Sequence, residues 1–535
     1  MLWAAWADAL GFISELTSPE NFRRRTGGRD LTFPMAWSRI IGGRMGVRVN
    51  LPEGCYSDDT QLRLSTSRAI SNHGFDVEAF ARVELPVWSS YALGGGRASK
   101  AAATAMAKQQ ANWAANFFDG WERAGGNGAA MRIQPHVYAA ANLRSDAYLD
   151  DVIRNTIVTH GHPRAIVGAV FHAVSLGFAL DHGVVPDPSV FSELLETTSR
   201  SFVAFDRQPE LSAYWRPQWE RKTQSSLEHA WDATVAELAD ILRTAMPVWE
   251  ALHDADGNRD LAIIRYEELV QLLSLDDEKV RGSGTLTAAA AVLLAAAFPQ
   301  HPAQSAQIAA ARLNTDTDTI GTMAAAIVGA AAPKKLLSPV LDADYLIVEA
   351  DRLYDISRDR RVDAFPYPDL LHWQPPKTAV DAVGLADGHV VLAGLSALRM
   401  TGTPIRSKDS VWVWAQTDFG QSVLVKSRAE LRDVPLGNHP ARDGASQSES
   451  ASDLAVLPGL TLAREEPSRP SEATFVPELL FSEVLDVSRS TVADLIEEMR
   501  EKRYSDASIG RALMSVLHHG TAEDLDQFLS HLALR

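Results

Sequence analysis

Cysteine is almost missing from this chain of 535 residues. Cys55 stands alone, so no intramolecular disulfide can form, and a reducing compartment such as the cytoplasm suits it. Positive charge is also short: 51 Lys and Arg face 68 Asp and Glu, a formal net charge of −17. Such a surface repels polyanions, which argues against general DNA or RNA binding but leaves room for a local basic pocket. The most apolar run, LTAAAAVLLAAAF at 286–298, falls short of the ~20 residues a membrane helix needs. The opening MLWAAWADALGF has no basic flank and carries Asp8, unlike a signal peptide. The expectation is a cytoplasmic protein with no membrane partner.

Runs of alternating Val, Ile and Thr are missing before about residue 355. What stands there is rich in Ala and Leu, with helical spacing at 60–72, 98–119, 149–180, 226–253, 258–275, 284–298, 303–312 and 319–331. The pattern predicts a mainly α protein whose residues 1–360 form an all-helical domain. Prolines in DAFPYPDLLHWQPPK (363–377) end it. HVVLAGLSALRM, DSVWVWAQ and GQSVLVKS then predict a small β-rich module at 380–436. Residues 438–473 read as a flexible linker, and 476–535 as a helical C-terminal domain.

Acidic residues gather in unexpected places. In RLNTDTDTIGTMAAAIVGA (312–330), Asp316 and Asp318 stand just before a small-residue helix, more acid than capping needs. In CYSDDTQLRLSTSRAI, Ser57, Asp58, Asp59 and Thr60 open another helix, and Asp8 and Glu15 flank Gly11 in a nearly apolar segment. Carboxylates gathered without a cation force one another to hold protons, whereas hard divalent cations such as Mg²⁺ take oxygen ligands from Asp, Glu, Ser and Thr. Asp316 and Asp318 can converge only if Asp316 precedes the helix and Asp318 lies in its first turn, beside Thr319.

The segments ADALGFISE, YSDDTQL, GGNGAAMRIQPH, THGHPRA and LNTDTDTIGTMAAAIVGA stand in the order found in the ADP-ribosylglycohydrolase family, which includes the dinitrogenase-reductase-activating glycohydrolase. The chain resembles that family over roughly residues 4–335, with an acidic insertion at about 183–280. The resemblance implies a helical fold with two Mg²⁺ ions, sometimes Mn²⁺, at the base of a cleft. Ser57, Asp58 and Asp59 match one ligand group; Asp316, Asp318 and Thr319 match the second. Glu15 matches an acid that touches metal or acts in catalysis, and Asp59 is the other candidate base. GGNGAAMR resembles the loop that receives the diphosphate and adjoining ribose. Gly125, Gly126 and Gly128 would let N–H groups approach phosphate, Asn127 would donate, and Met131 and His160 would lie beside the ligand. Asn314 and Thr315 replace the family's Gly-Gly, and Ala7 its opening Gly, so the loop into Asp316 is expected to take a different shape.

The implied activity is metal-dependent hydrolysis of the glycosidic bond between ADP-ribose and an acceptor on protein, nucleic acid or small molecule. One alternative is a non-catalytic ADP-ribose or nucleotide reader; another is a hydrolase of a different ribosyl compound. The C-terminal modules suggest recruitment of a protein partner, in which case truncation after residue 360 would spare turnover. Among residues with a weaker claim, His162 reads as a helix cap, Trp88 and Tyr91 as core rather than adenine walls, and Cys55 as a buried filler. FRRRTGGR (22–29) is a basic island, read as a solvated loop or as a contact for a phosphate-bearing target.

Overall fold

The computed structural model describes residues 1–42, 46–108, 112–332, 334–408, 410–440 and the backbone of 461–462. The expected linker at 438–473 lies outside these apart from its first three residues and that short strand. The expected helical domain at 476–535 lies wholly outside them.

The chain opens with α1 (Leu2–Ser14) and α2 (Pro19–Thr26), then a hairpin of β1 (Trp37–Ile41) and β2 (Val47–Leu51). Helix α3 (Asp58–Arg68) is followed by a two-residue hairpin, β3 (Ile70–Ser71) and β4 (Gly74–Phe75). Short α4 (Val77–Ala79) and α5 (Leu85–Trp88) lead to α6 (Arg97–Met106), α7 (Gln134–Tyr138), α8 (Ala147–Ile157) and α9 (Pro163–His182). The stretch 183–280 carries α10 (Phe191–Arg200), α11 (Ala204–Arg207), α12 (Arg216–Thr223), α13 (Leu227–His253) and α14 (Arg259–Leu272). Then come α15 (Gly284–Ala297), α16 (Pro302–Ala311), α17 (Thr317–Ala331) and α18 (Ala343–Ser357).

Three local expectations are corrected. The helical region is not wholly helical: in β2, VRVNL buries Val47, Val49 and Leu51 and exposes Arg48 and Asn50 against β1. The run 98–119 stops at Met106, and Asn112 caps a separate turn at Trp113–Ala115. The run 149–180 is broken at 158–162. There Gly161 lies against Trp121, where a Cβ would fall 2.5 Å from the ring, and Pro163 restarts the helix at its first position. His162 caps α9, its Nδ1 accepting the Arg164 N–H at 3.1 Å.

The core forms where apolar helices meet. α15, GTLTAAAAVLLAAA, is apolar on all sides and packs against α9, α13 and α17. α9 has the length and mean hydropathy, 1.5, of a membrane span, yet 83% of its apolar window is buried among the other helices. Gly168 on α9 meets Gly284 so closely that a Cβ would fall 2.3 Å from the facing carbonyl. Most important for the site, α1 lies along α17. Thr322 donates to the Ala4 carbonyl at 3.0 Å and Thr317 to the Gly11 carbonyl at 2.7 Å.

Residues 383–428 form an antiparallel sheet of β5 (Val383–Ala386), β6 (His389–Leu392), β7 (Ser396–Met400), β8 (Ile405–Ser407), β9 (Ser410–Thr417) and β10 (Ser422–Arg428). Its order is β10-β9-β7-β6-β5, with β8 also paired to β9. The sheet packs on the helical part. Trp412 and Leu424 join the apolar cluster of Trp6, Leu10, Phe12 and Trp37, and the Lys426 N–H donates to the Ser90 carbonyl at 2.8 Å.

Candidate metal centre

The acids come from three chain segments that meet at the C-terminal end of α1. Asp8, fully buried on α1, accepts the N–H of Ser57 at 2.8 Å, the N–H of Thr60 at 2.9 Å and the Thr60 hydroxyl at 2.6 Å. This carboxylate serves as a long-range cap that ties the start of α3 to α1. Ser57 is the N-cap of α3, and its Oγ accepts the Asp59 N–H. Asp58 and Asp59 then lie in the first turn.

Asp58 is fixed from the far side. Its Oδ1 accepts the Gly95 N–H at 2.7 Å, and a Cβ at Gly94 (φ +143°) would fall 2.2 Å from that same oxygen. Only glycine fits there. Gln61 steadies the same loop, accepting the Trp88 indole N–H and the Leu93 N–H and donating to the Tyr91 carbonyl. Trp88 and Tyr91 are fully buried core residues, as their spacing suggested.

Asp316 is the N-cap residue of α17, yet its side chain makes no capping bond. Its Oδ2 accepts instead from Asn127 Nδ2 at 2.8 Å. Asp318 lies in the first turn and accepts the N–H of Thr319 at 3.0 Å, while the Thr319 hydroxyl donates to Asp59 Oδ1 at 3.3 Å. That contact brings the two halves of the site together across 260 residues. The crossing is tight: a Cβ on Gly11 would lie 2.4 Å from Asp318 Cα. Asn314 takes φ +68°, the left-handed region that Asn tolerates better than most residues, so it supplies a backbone angle open to glycine. The expected change of loop shape is to that extent offset by Asn314 itself.

Glu15 follows α1 as its C-cap. One carboxylate oxygen each from Glu15, Asp316 and Asp318 lies within 4.8 Å of the others. Burial raises the Glu15 and Asp318 carboxyls, and repulsion from the neighbouring acids raises them further. Glu15 is pushed up to about 8 by burial and by Asp316 and Asp58. Asp58 is pushed to about 7 by burial and Asp8, while Asp59 and Asp318 are held well above the usual carboxylate range. Asp59 Oδ2 is buried with no hydrogen-bond partner among the described residues. An oxygen-only donor set, an orphaned carboxylate oxygen and converging acids are what a hard divalent cation requires. The cluster of Glu15, Asp316 and Asp318 could hold a metal ion.

The glycine-rich segment lies beside this centre. Asn127 donates its side-chain N–H groups inward, to Asp316 and to Thr287 Oγ1, and its backbone N–H goes to the Gly282 carbonyl at 2.8 Å. Here Asn127 orients an acid. Gly126 and Gly128 face His160, whose Nε2 would be 3.6 Å and 3.3 Å from a Cβ at those positions. His160 is buried and kept neutral, its pKa lowered to about 3 by burial and by Arg132, and its Nδ1 pairs with the Thr159 hydroxyl at 2.7 Å. Met131 is buried in the helical core. Cys55 is a buried filler, its thiol raised by burial.

Sequence reasoning left the roles of Asp8, Gln61, Gly94 and Gly95 unassigned. The GGG run at 94–96 and the Gln after SDDT were the available signals, but nothing local says which carboxylate they serve.

A family model for ADP-ribosylglycohydrolase matches residues 1–362, and the chain belongs to that family. An uncharacterized protein of Escherichia coli (strain K12), YegU, is 27% identical over 219 residues, covering 41% of this chain and 53% of that protein. The chain thus spans about half the length of this curated relative. Among solved structures, one described as an ADP-ribosylglycohydrolase-related protein complex aligns at 22% identity and a TM-score of 0.39, over 66% of this chain and 95% of its own.

Proposed function

We propose that the protein hydrolyses the glycosidic bond joining C1″ of ADP-ribose to an acceptor, at a centre of two Mg²⁺ ions that Mn²⁺ can replace. The observation that carries this reading is the convergence of Ser57, Asp58 and Asp59 with Asp316, Asp318 and Thr319 through the Thr319–Asp59 contact, with Glu15 adjoining. Those residues would hold the ions. Bound there, the ions would supply Lewis-acid orientation of the ribose hydroxyls and a more acidic water.

The chain's own residues do the rest. Glu15 or Asp59 takes the proton of the attacking water as C1″ gains oxocarbenium character. The surrounding carboxylates favour that positive charge. Asn127 keeps Asp316 in place, and the Gly126–Gly128 turn with neutral His160 borders the sugar–diphosphate.

The test is incubation of the full chain with ADP-ribosylated arginine, serine and nucleic acid, with and without Mg²⁺, and assay of free ADP-ribose. Release that requires Mg²⁺ supports the reading. Binding of ADP-ribose with no release from any of the three contradicts it.

A further inference from the structure

One buried cation beside the acidic centre has no part in the chemistry above. Arg63 lies on α3 one turn beyond Asp59, so the two side chains share a helix face. It is fully buried, and its contacts are neutral. Nη1 donates to Gln134 Oε1 at 3.1 Å and Nη2 to Thr60 Oγ1 at 2.5 Å, while Nε has no partner among the described residues. A guanidinium taken out of water with no carboxylate among its hydrogen-bond partners is rare and costly.

The acids balance it through space. Thr60, which accepts from Arg63, donates in turn to Asp8 Oδ2 at 2.6 Å. Burial, then Asp8, Asp58 and Asp316, hold Asp59 well above the usual carboxylate range, and Arg63 pulls it back. Arg63 likewise opposes the rise that burial gives Asp8. Arg25 and Arg39 act on Glu15 and Lys100 on Asp58, but all three reach solvent. Arg63 does not. Its charge could be removed with the site's framework left in place. Asp8 would keep its three donors from Ser57 and Thr60, and Gln134 Oε1 would keep the Tyr138 hydroxyl at 3.3 Å.

Resting on the metal-dependent reading above, we propose that Arg63 is a built-in cation that competes with the divalent ions for the field of Asp59 and Asp8, and so sets how tightly those ions bind. A charge one helical turn away in a buried site acts strongly, and salt screens it little. The arginine shares the acids when the ions leave and opposes the ions when they return.

The experiment measures Mn²⁺ affinity by equilibrium titration of the full chain on the wild type, Arg63→Met and Arg63→Lys. Arg63→Met should bind Mn²⁺ at least about fivefold tighter, and Arg63→Lys, which keeps the charge, should stay within about twofold of the wild type. The Mg²⁺ level that gives half-maximal release of ADP-ribose should fall in Arg63→Met as well. A residue that merely braced α3 would give the opposite sign, weaker binding in Arg63→Met. Should that variant fail to fold, the wild type decides. With ¹⁵N-labelled arginine, Mg²⁺ should shift the Nε signal of Arg63 and leave that of Arg68, paired with Glu84, in place. Unchanged or weaker Mn²⁺ binding by Arg63→Met, equal tightening by Arg63→Lys, or an Arg63 signal indifferent to Mg²⁺ overturns this assignment and leaves the hydrolase reading standing. No Mn²⁺ bound by the wild type overturns both.

Discussion

At the scale of single residues, burial decides which groups stay uncharged. His136 lies edge-on to Phe75, ring centres 4.6 Å apart, and is only 4% exposed. Burial, then Arg154 and Arg132, lower its pKa to about 3 from an ordinary 6.5. The sign follows: the unfolded chain takes up this proton first, so the stability is full above pH 6.5. It is lost as pH falls toward 3, at up to about 1.4 kcal/mol per pH unit. His136→Phe cannot bind that proton. Between pH 7 and pH 5 the wild type should therefore lose about 2 kcal/mol more than the variant in urea unfolding. Parallel losses would show that His136 does not carry the effect. The residue types of the site are legible in the sequence itself, because the oxygen donors of SDDT and DTDT suit a hard cation. Asp8 reads there only as a buried acid wanting a partner, since that partner, the start of α3, lies 49 and 52 residues away.

At the scale of elements, the site is a crossing of helix ends. The start of α17 could be read from its sequence, since two acids two apart converge only across a helix boundary, and the helix begins at Thr317. The β1–β2 hairpin could not, because WSRII does not alternate and its pairing with VRVNL is a tertiary fact. The crossing itself predicts the consequence of one methyl group. Gly11→Ala places a Cβ 2.4 Å from Asp318 Cα and 2.5 Å from its N, both backbone, so α17 must shift at its first turn. The expected outcome is about 1–3 kcal/mol of destabilisation and a clear loss of divalent-ion affinity in a protein that still folds. Thermal unfolding and Mn²⁺ titration measure the two; unchanged affinity would mean that the crossing does not position Asp318.

At the scale of the whole molecule, the sheet bears on the metal site through a short chain of contacts. The Tyr56 hydroxyl, one residue before Ser57, donates to Asp342 Oδ2 at 2.6 Å, and the same oxygen accepts the Ser422 N–H of β10 at 2.8 Å. Arg68 of α3 is fully buried between Glu84, Tyr345 and Gln421, with Phe419 beneath it at 4.9 Å. Cutting after residue 360 strips Ser422, Gln421 and Phe419, leaving the buried Arg68 part-solvated beside Glu84 and an apolar cluster open. A chain ending at 360 should be insoluble or inactive, and one ending at 464 should keep turnover within about twofold. A soluble, active 1–360 chain would show that the sheet serves recruitment alone, the role its composition suggested. Composition could not reveal otherwise, since Asp342–Ser422 and Arg68–Gln421 join residues 80 and 353 apart.

The most direct measurement is an equilibrium titration of the full chain with Mn²⁺, followed by the signal of free ion, on the wild type and on Asp318→Asn. The account predicts two ions bound per chain, displaced by Mg²⁺, and loss of that binding in the variant. No binding at millimolar Mn²⁺, or binding that Asp318→Asn leaves untouched, would contradict it.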